Sequence, residues 1–259
     1  MTAPELSYYN IANGITSFST TRHGGCSRGN YGEFNINEYC GDEAEAIKEN
    51  RKALAAELGI DADHMIIPHQ THGIETRQIA EDFLSLPENI RKMILEGVDA
   101  VMTNIKGVCV GVSTADCIPI LLYDPEHEAV CAVHAGWRGT VARVVMKAVT
   151  EMRLAYQTKP SDLKAVIGPG ISLDAFEVGN EVYEEFANAN FEMDAISKQM
   201  KVTGTDFEYK WHIDLKECNR RQLLQCGINE ENILVSDVCT YNNVEDFFSA
   251  RRLGTASGR

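Results

Sequence analysis

Ala129-Val130-Cys131-Ala132-Val133-His134-Ala135-Gly136-Trp137-Arg138-Gly139-Thr140 places a histidine at the close of an almost wholly apolar run, directly before a glycine-flanked turn. A short apolar run bounded by a turn reads as a buried strand. Beyond the turn, Val141, Val144, Val145, Ala148, Val149 and Met152 share one helical stripe. A strand therefore feeds a helix through a glycine turn. Strand ends of this kind are where α/β-type proteins put chemistry, because the strand fixes the side chain and the turn opens it to solvent.

Three more short apolar runs, residues 100–103, 108–113 and 118–123, precede it, separated by Lys106-Gly107 and the Thr114-Ala115-Asp116-Cys117 turn, with Asp124-Pro125 after the last. Residues 15–21 predict a strand, followed by a polar, glycine-rich loop over 22–32. Residues 42–58 predict a helix with Asp42 as its N-cap and Gly59 as its stop. Residues 66–67 and 74–79 predict extended chain. Residues 163–168 and 233–238 predict strands, 209–213 extended chain, 180–189 a helix, and Asp214 caps another helix that stops at Gly227. Strands both adjoin each other and alternate with helices. The expected fold is α+β, mixed β-sheets covered by helices, in a single domain over residues 1–259.

The 259 residues carry a net charge of −14, which argues against a general affinity for nucleic acid or anionic membrane. An anionic substrate stays open, because a few local arginines can overcome a diffuse negative field. Residues 1–13 lack the basic start and apolar run of a signal peptide, and no stretch approaches the roughly 20 apolar residues of a membrane span. The eight cysteines form no C-x-x-C pair, and several sit in apolar surroundings where a reduced thiol packs as a small hydrophobe. A reducing cytoplasm is the expected setting.

Two segments resemble the His134 turn in character: Pro68-His69-Gln70-Thr71-His72-Gly73 and Ser113-Thr114-Ala115-Asp116-Cys117-Ile118-Pro119. Together they offer His72, Cys117 and His134 to one borderline-soft metal ion. Zinc takes imidazole nitrogen and thiolate sulfur, and catalytic zinc sites commonly use three protein ligands with a fourth position open. No local spacing rule confirms the set; a buried cysteine and two hydrogen-bonded histidines would look the same. His69 rivals His72 as ligand or as a partner orienting one. The same residues permit a Cys117 nucleophile with His134 as base and Asp116 as orienter, although adjacent residues on a strand diverge. Arg22, beside Gly24-Gly25, and Arg138, before the Val141 helix, are candidates for an anion. Trp137 and Phe176 could stack on a flat base, and the turn at Gly168-Pro169-Gly170 could line a pocket. Arg251 and Arg252 could also meet an anion.

The segments 18–25, 69–73, 114–119, 134–139, 167–169, 176–179, 239–240 and 247–252, in this order, resemble the YfiH family, also described as the polyphenol oxidase or laccase-domain family and as peptidoglycan editing factors; its animal relatives are purine nucleoside enzymes. The resemblance implies an α+β fold and a zinc site at His72, Cys117 and His134. It implies phosphorolysis of adenosine, inosine, guanosine or methylthioadenosine, and deamination of adenosine. On that reading Asp116, Arg138 and Arg22 are the catalytic candidates, and Arg22, Trp137, Arg138, Gly170 and Phe176 the substrate-binding ones. Family members often carry cysteine where Gly170 stands, and usually continue past Ser257-Gly258-Arg259 with a further apolar strand, so an open sheet edge is expected. The expected partners are a purine nucleoside and phosphate, with no nucleic acid and no membrane, in a monomer or weak homo-oligomer. Three other readings stay open: a hydrolase editing peptidoglycan precursors, a copper polyphenol oxidase, and a protein using zinc structurally. Seven histidines, few of them clustered, are sparse for several copper sites.

Overall fold

The strand Ala129–Ala135 lies near the middle of a six-stranded sheet in the computed structural model, which describes residues 3–202 and 208–259. The sheet order is Ile233–Val235, Lys164–Ile167, Ile118–Asp124, Ala129–Ala135, Val98–Thr103 and Glu75–Gln78. The four inner strands pair antiparallel, and a parallel strand closes each edge. This is the mixed-sheet α+β architecture expected from the sequence. The inner strands are mostly apolar because both of their faces are covered; Val98–Thr103 is buried at all six positions, Asp99 included.

The helix Val144–Tyr156 covers one face. Val144, Val145, Ala148, Val149 and Met152 are its buried stripe, packed with Val133, Ile120 and Ala100 of the sheet. Fully burying each of the larger ones is worth about 1.5–3 kcal/mol. The helix Leu215–Gln225 joins the same core through Leu215, Cys218 and Leu223, and Asp214 caps it as expected, accepting the Glu217 N–H at 2.9 Å. In a second cluster Val101 of the sheet packs with Ile66, Ile79, Phe83 and Leu95, and in a third, apart from the sheet, the helix Ala44–Leu58 packs Leu54 against Phe34, Ile36 and Met65.

Three local expectations are corrected. The helical stripe does not run unbroken from Val141: Arg143 adopts a left-handed φ of 67° and separates the short helix Trp137–Val141 from Val144–Tyr156. Its guanidinium donates to the Ala189 carbonyl and lies 3.8 Å from the Phe191 ring centroid, so tertiary contacts outweigh helical continuity. Asp42 does not cap its helix, which starts at Ala44; its carboxylate instead accepts from Ser27 and Asn35. The run 108–113 forms only the two-residue strand Cys109–Val110, paired with Met65–Ile66.

Leu6–Tyr9 and Ser17–Thr20 form a hairpin beside the main sheet. Ser17–Thr20 and the segment around Cys109–Val110 line an apolar groove of about 500 Å³, to whose lining Arg259 also contributes. Among the described residues each of these strands has one partner only. Among the described residues no helix is long and apolar enough to cross a membrane.

Candidate metal centre

Strand register brings the centre together. Ile118 pairs with Ala135, so Cys117, one step before its strand, stands beside Gly136 at the end of the neighbouring one. His134 is the penultimate residue of its strand and is 3% exposed. His72 arrives from the loop before Glu75–Gln78, in a left-handed conformation with φ 64°. The ligand atoms of His72, Cys117 and His134 lie within 4.8 Å of one another. The two imidazole rings meet edge to face, with centroids 4.9 Å apart. His72 is exposed, Cys117 half-buried and His134 buried, so the centre opens to solvent on the His72 side.

Asp99 completes the arrangement, and the sequence reading missed it. The register that pairs Ala100 with Val133 brings Asp99 level with His134, and its carboxylate accepts the His134 Nδ1 proton at 2.7 Å. The same carboxylate accepts the backbone N–H groups of Thr71, His72 and Gly73 at 3.2, 3.0 and 2.7 Å. Burial alone would raise its pKa; the bonds from His134 and the loop hold it below the ordinary carboxylate value. The available signal was an aspartate inside the run Val98-Asp99-Ala100-Val101-Met102, since a charge buried in an apolar strand needs partners.

The donor set suits a soft or borderline divalent metal. Burial would push the Cys117 thiol up, but the facing imidazoles of His134 and His72 hold it down at about 6. Burial would push His134 down, but the Cys117 sulfur and Asp99 raise it to about 9. Near neutrality the pair is therefore a thiolate facing an imidazolium: the sulfur is already in the form that binds a metal, and a metal would displace the proton from His134 Nε2. Gly136 leaves the space: a Cβ there would stand 3.0 Å from Cys117 Sγ, 3.0 Å from His72 Cδ2 and 3.7 Å from His134 Cε1. The three side chains thus converge on a cradle that a methyl group would fill.

The residue before Cys117 is also left-handed, Asp116 with φ 83°. Two ligand loops therefore each carry a non-glycine residue in a conformation that costs of order 1 kcal/mol or more, a feature common at functional sites. The Asp116 carboxylate accepts from Thr240 Oγ1, Ser249 Oγ and the Arg251 N–H at 2.8, 3.0 and 2.7 Å. It ties the C-terminal segment to the Cys117 turn. The position beyond His134 foreseen for Asp116 as orienter is held by Asp99.

The other candidates fall into distinct places. His69 is bound through Nδ1 to Glu96 and stacks 4.0 Å from Tyr39, outside the ligand triangle. Arg22 donates to the carbonyls of Gly32 and Val244 and lies over Phe248, so its guanidinium is occupied by backbone. Arg138 is exposed, its guanidinium stacked 4.2 Å over Trp137. Gly170 lies against Ile118 and the carbonyls of Asp116 and Cys117, beneath the ligand turn. Phe176 is buried in the core, with the Arg251 guanidinium 5.5 Å from its ring centroid. Arg251 and Arg252 donate to the carbonyls of Glu177 and Tyr241.

Residues 16–259 match the family model described as multi-copper polyphenol oxidoreductase laccase. The chain belongs to this family, the YfiH family. A purine nucleoside phosphorylase of Bacteroides thetaiotaomicron is 45% identical over 245 residues, covering 95% of this chain and 89% of that protein. The adenosine deaminase RL5, from an unknown prokaryotic organism, is 40% identical over 255 residues, covering 98% of this chain and 95% of that one. The crystal structure of YfiH from Bacillus licheniformis superposes with a TM-score of 0.88 at 28% identity, covering 99% of this chain and 94% of that chain. The resemblance expected from the sequence therefore holds along nearly the whole chain.

Proposed function

We propose that this YfiH-family chain is a zinc-dependent purine nucleoside phosphorylase that also deaminates adenosine, acting in the cytoplasm as one domain over residues 1–259, monomeric or weakly self-associating. The observation that carries the reading is the solvent-open triangle of His72, Cys117 and His134, in a chain whose relatives bear both activity names. Mixed nitrogen and sulfur ligands favour zinc, with copper as the second choice. Bound there, zinc would supply Lewis-acid charge at the reacting centre.

Phosphorolysis joins a phosphate oxygen to ribose C1′ as the bond to the base breaks and the base takes up a proton. Deamination replaces the adenine amino group with a water oxygen and releases ammonia. We assign phosphate to Arg138, whose guanidinium is exposed and carries no backbone bond among the described residues. Trp137 holds that guanidinium in place by stacking beneath it. The other candidates take supporting roles: Asp116 binds the C-terminal segment to the Cys117 turn, Arg22 joins Gly32 to Val244, Gly170 lies under the Cys117 turn, and Phe176 supplies an apolar surface.

The experiment is incubation of the pure, zinc-analysed protein with adenosine and phosphate, resolving adenine, ribose-1-phosphate and inosine. Release of none of these products from metal-loaded protein would sink the proposal. One observation favours a second reading. Cys117, His134 and Asp99 form a chain of thiol, imidazole and carboxylate like that of a cysteine hydrolase. A protein free of metal that still turns over, and loses activity on alkylation of Cys117, would establish that alternative.

A further inference from the structure

Among the described residues Asp99 faces four hydrogen-bond donors and no acceptor. One oxygen takes His134 Nδ1 and the His72 N–H; the other takes the N–H groups of Thr71 and Gly73. It is fully buried in the interior of the sheet. A carboxylate satisfies this arrangement because it accepts at both oxygens and donates at neither. The two ligands so joined come from separate parts of the chain, a loop at 68–73 and a strand at Ala129–Ala135, and nothing in their sequence spacing fixes their separation.

We propose that Asp99 is the positioning residue of the centre, one carboxylate that sets both histidine ligands at once. Toward His134 it fixes the tautomer: a proton held on Nδ1 leaves Nε2 to face the metal. Toward His72 it holds the backbone of a residue in a left-handed conformation, so the imidazole swings into the triangle instead of toward solvent. Cys117 needs no such help, because the pairing of Ile118 with Ala135 already places it. Loss of Asp99 thus removes the control over two ligands of three while leaving the thiolate in place. The inference rests on His72, Cys117 and His134 being a metal centre.

Asp99→Asn is the informative change, since it keeps size and shape. An amide presents one oxygen and one NH₂, so whichever way it turns, two donors oppose each other, at His134 or at the Thr71–Gly73 loop. We expect zinc affinity, measured by chelator competition, to fall about 100-fold, the upper end of the usual effect of a group hydrogen-bonded to a ligand. The cobalt-loaded variant should show altered visible absorption, because its coordination geometry changes. In wild-type protein labelled with ¹⁵N-histidine and loaded with ¹¹³Cd, the metal should couple to His134 Nε2; this needs no variant and stands even if Asp99→Asn fails to fold. Wild-type affinity and spectrum in folded Asp99→Asn, or coupling to Nδ1, would overturn the inference. His134→Ala separates the two layers. If it abolishes metal binding while Asp99→Asn does not, the centre stands and the role of Asp99 falls. If wild-type protein binds no metal, both fall.

Discussion

Gly136 stands where a Cβ would meet Cys117 Sγ at 3.0 Å. It would meet His72 Cδ2 at the same 3.0 Å, so two ligands would each have to give by a few tenths of an ångström. Metal sites tolerate ligand displacements of about 0.2 Å. Gly136→Ala should therefore weaken zinc binding at least about 10-fold. The fold should survive, because Gly136 has a φ of −69° that alanine adopts freely. Thermal melts of metal-free wild type and variant should agree within a few degrees, and titration with zinc should separate them. Equal zinc affinity would mean that the ligands do not converge on this face.

Arg22 and Arg138, alike as glycine-flanked arginines in the sequence, should behave oppositely. Arg138→Ala touches no backbone bond and should leave the melting temperature nearly unchanged. It should raise the KM for phosphate about 10-fold or more while leaving adenosine deamination, which uses water, within about 3-fold of wild type. Arg22→Ala removes donors to two carbonyls and a ring contact. It should cost about 2–3 kcal/mol of stability, with both reactions declining together on heating. A phosphate-specific defect in Arg22→Ala would reverse the assignment.

How far the site was legible in the sequence follows from what sets each residue's position. His134 and Cys117 were readable because each adjoins an apolar run and a turn, signals confined to a dozen residues. Choosing His72 over His69 depended on a carboxylate elsewhere in the chain, Glu96, that binds the rival. Asp99 was invisible as a partner because register between two strands about 30 residues apart, not spacing, brings it to His134. The hairpin strand Leu6–Tyr9 and the break at Arg143 were missed for the same reason: tertiary contacts decide both. The sheet was read more accurately than the loops because its inner strands are buried on both faces, which leaves a nearly continuous apolar signature.

Asp124 gives the fold a measurable dependence on acid. Its buried carboxylate accepts the backbone N–H groups of Glu126 and His127, His127 Nδ1 and the Thr158 hydroxyl. Burial would raise its pKa, but these bonds outweigh that and hold it below the ordinary value. A depressed folded pKa means the contribution is complete above the unfolded value of about 3.9 and is lost as pH falls through the folded one. In urea melts, wild type should exceed Asp124→Asn by about 2–3 kcal/mol at neutral pH, and the gap should narrow below about pH 4. A gap that widens toward acid would contradict the assignment.

Asp116 permits the sharpest test of whether a residue beside a metal ligand does chemistry or holds structure. Its two oxygens face the hydroxyls of Thr240 and Ser249 and the N–H of Arg251. A hydroxyl can turn from donor to acceptor, whereas an N–H cannot. Asparagine therefore fits here in one orientation, its oxygen toward Ser249 and Arg251 and its NH₂ toward Thr240. Asp116→Asn should cost no more than about 1 kcal/mol and keep turnover within about 3-fold, while Asp116→Ala, which orphans the Arg251 N–H, should cost about 3 kcal/mol. Asparagine at this position cannot carry a proton between base and solvent as a carboxyl can. A folded, zinc-loaded Asp116→Asn that loses turnover 100-fold or more would therefore make Asp116 the acid of the reaction and not a clasp for the C-terminal segment.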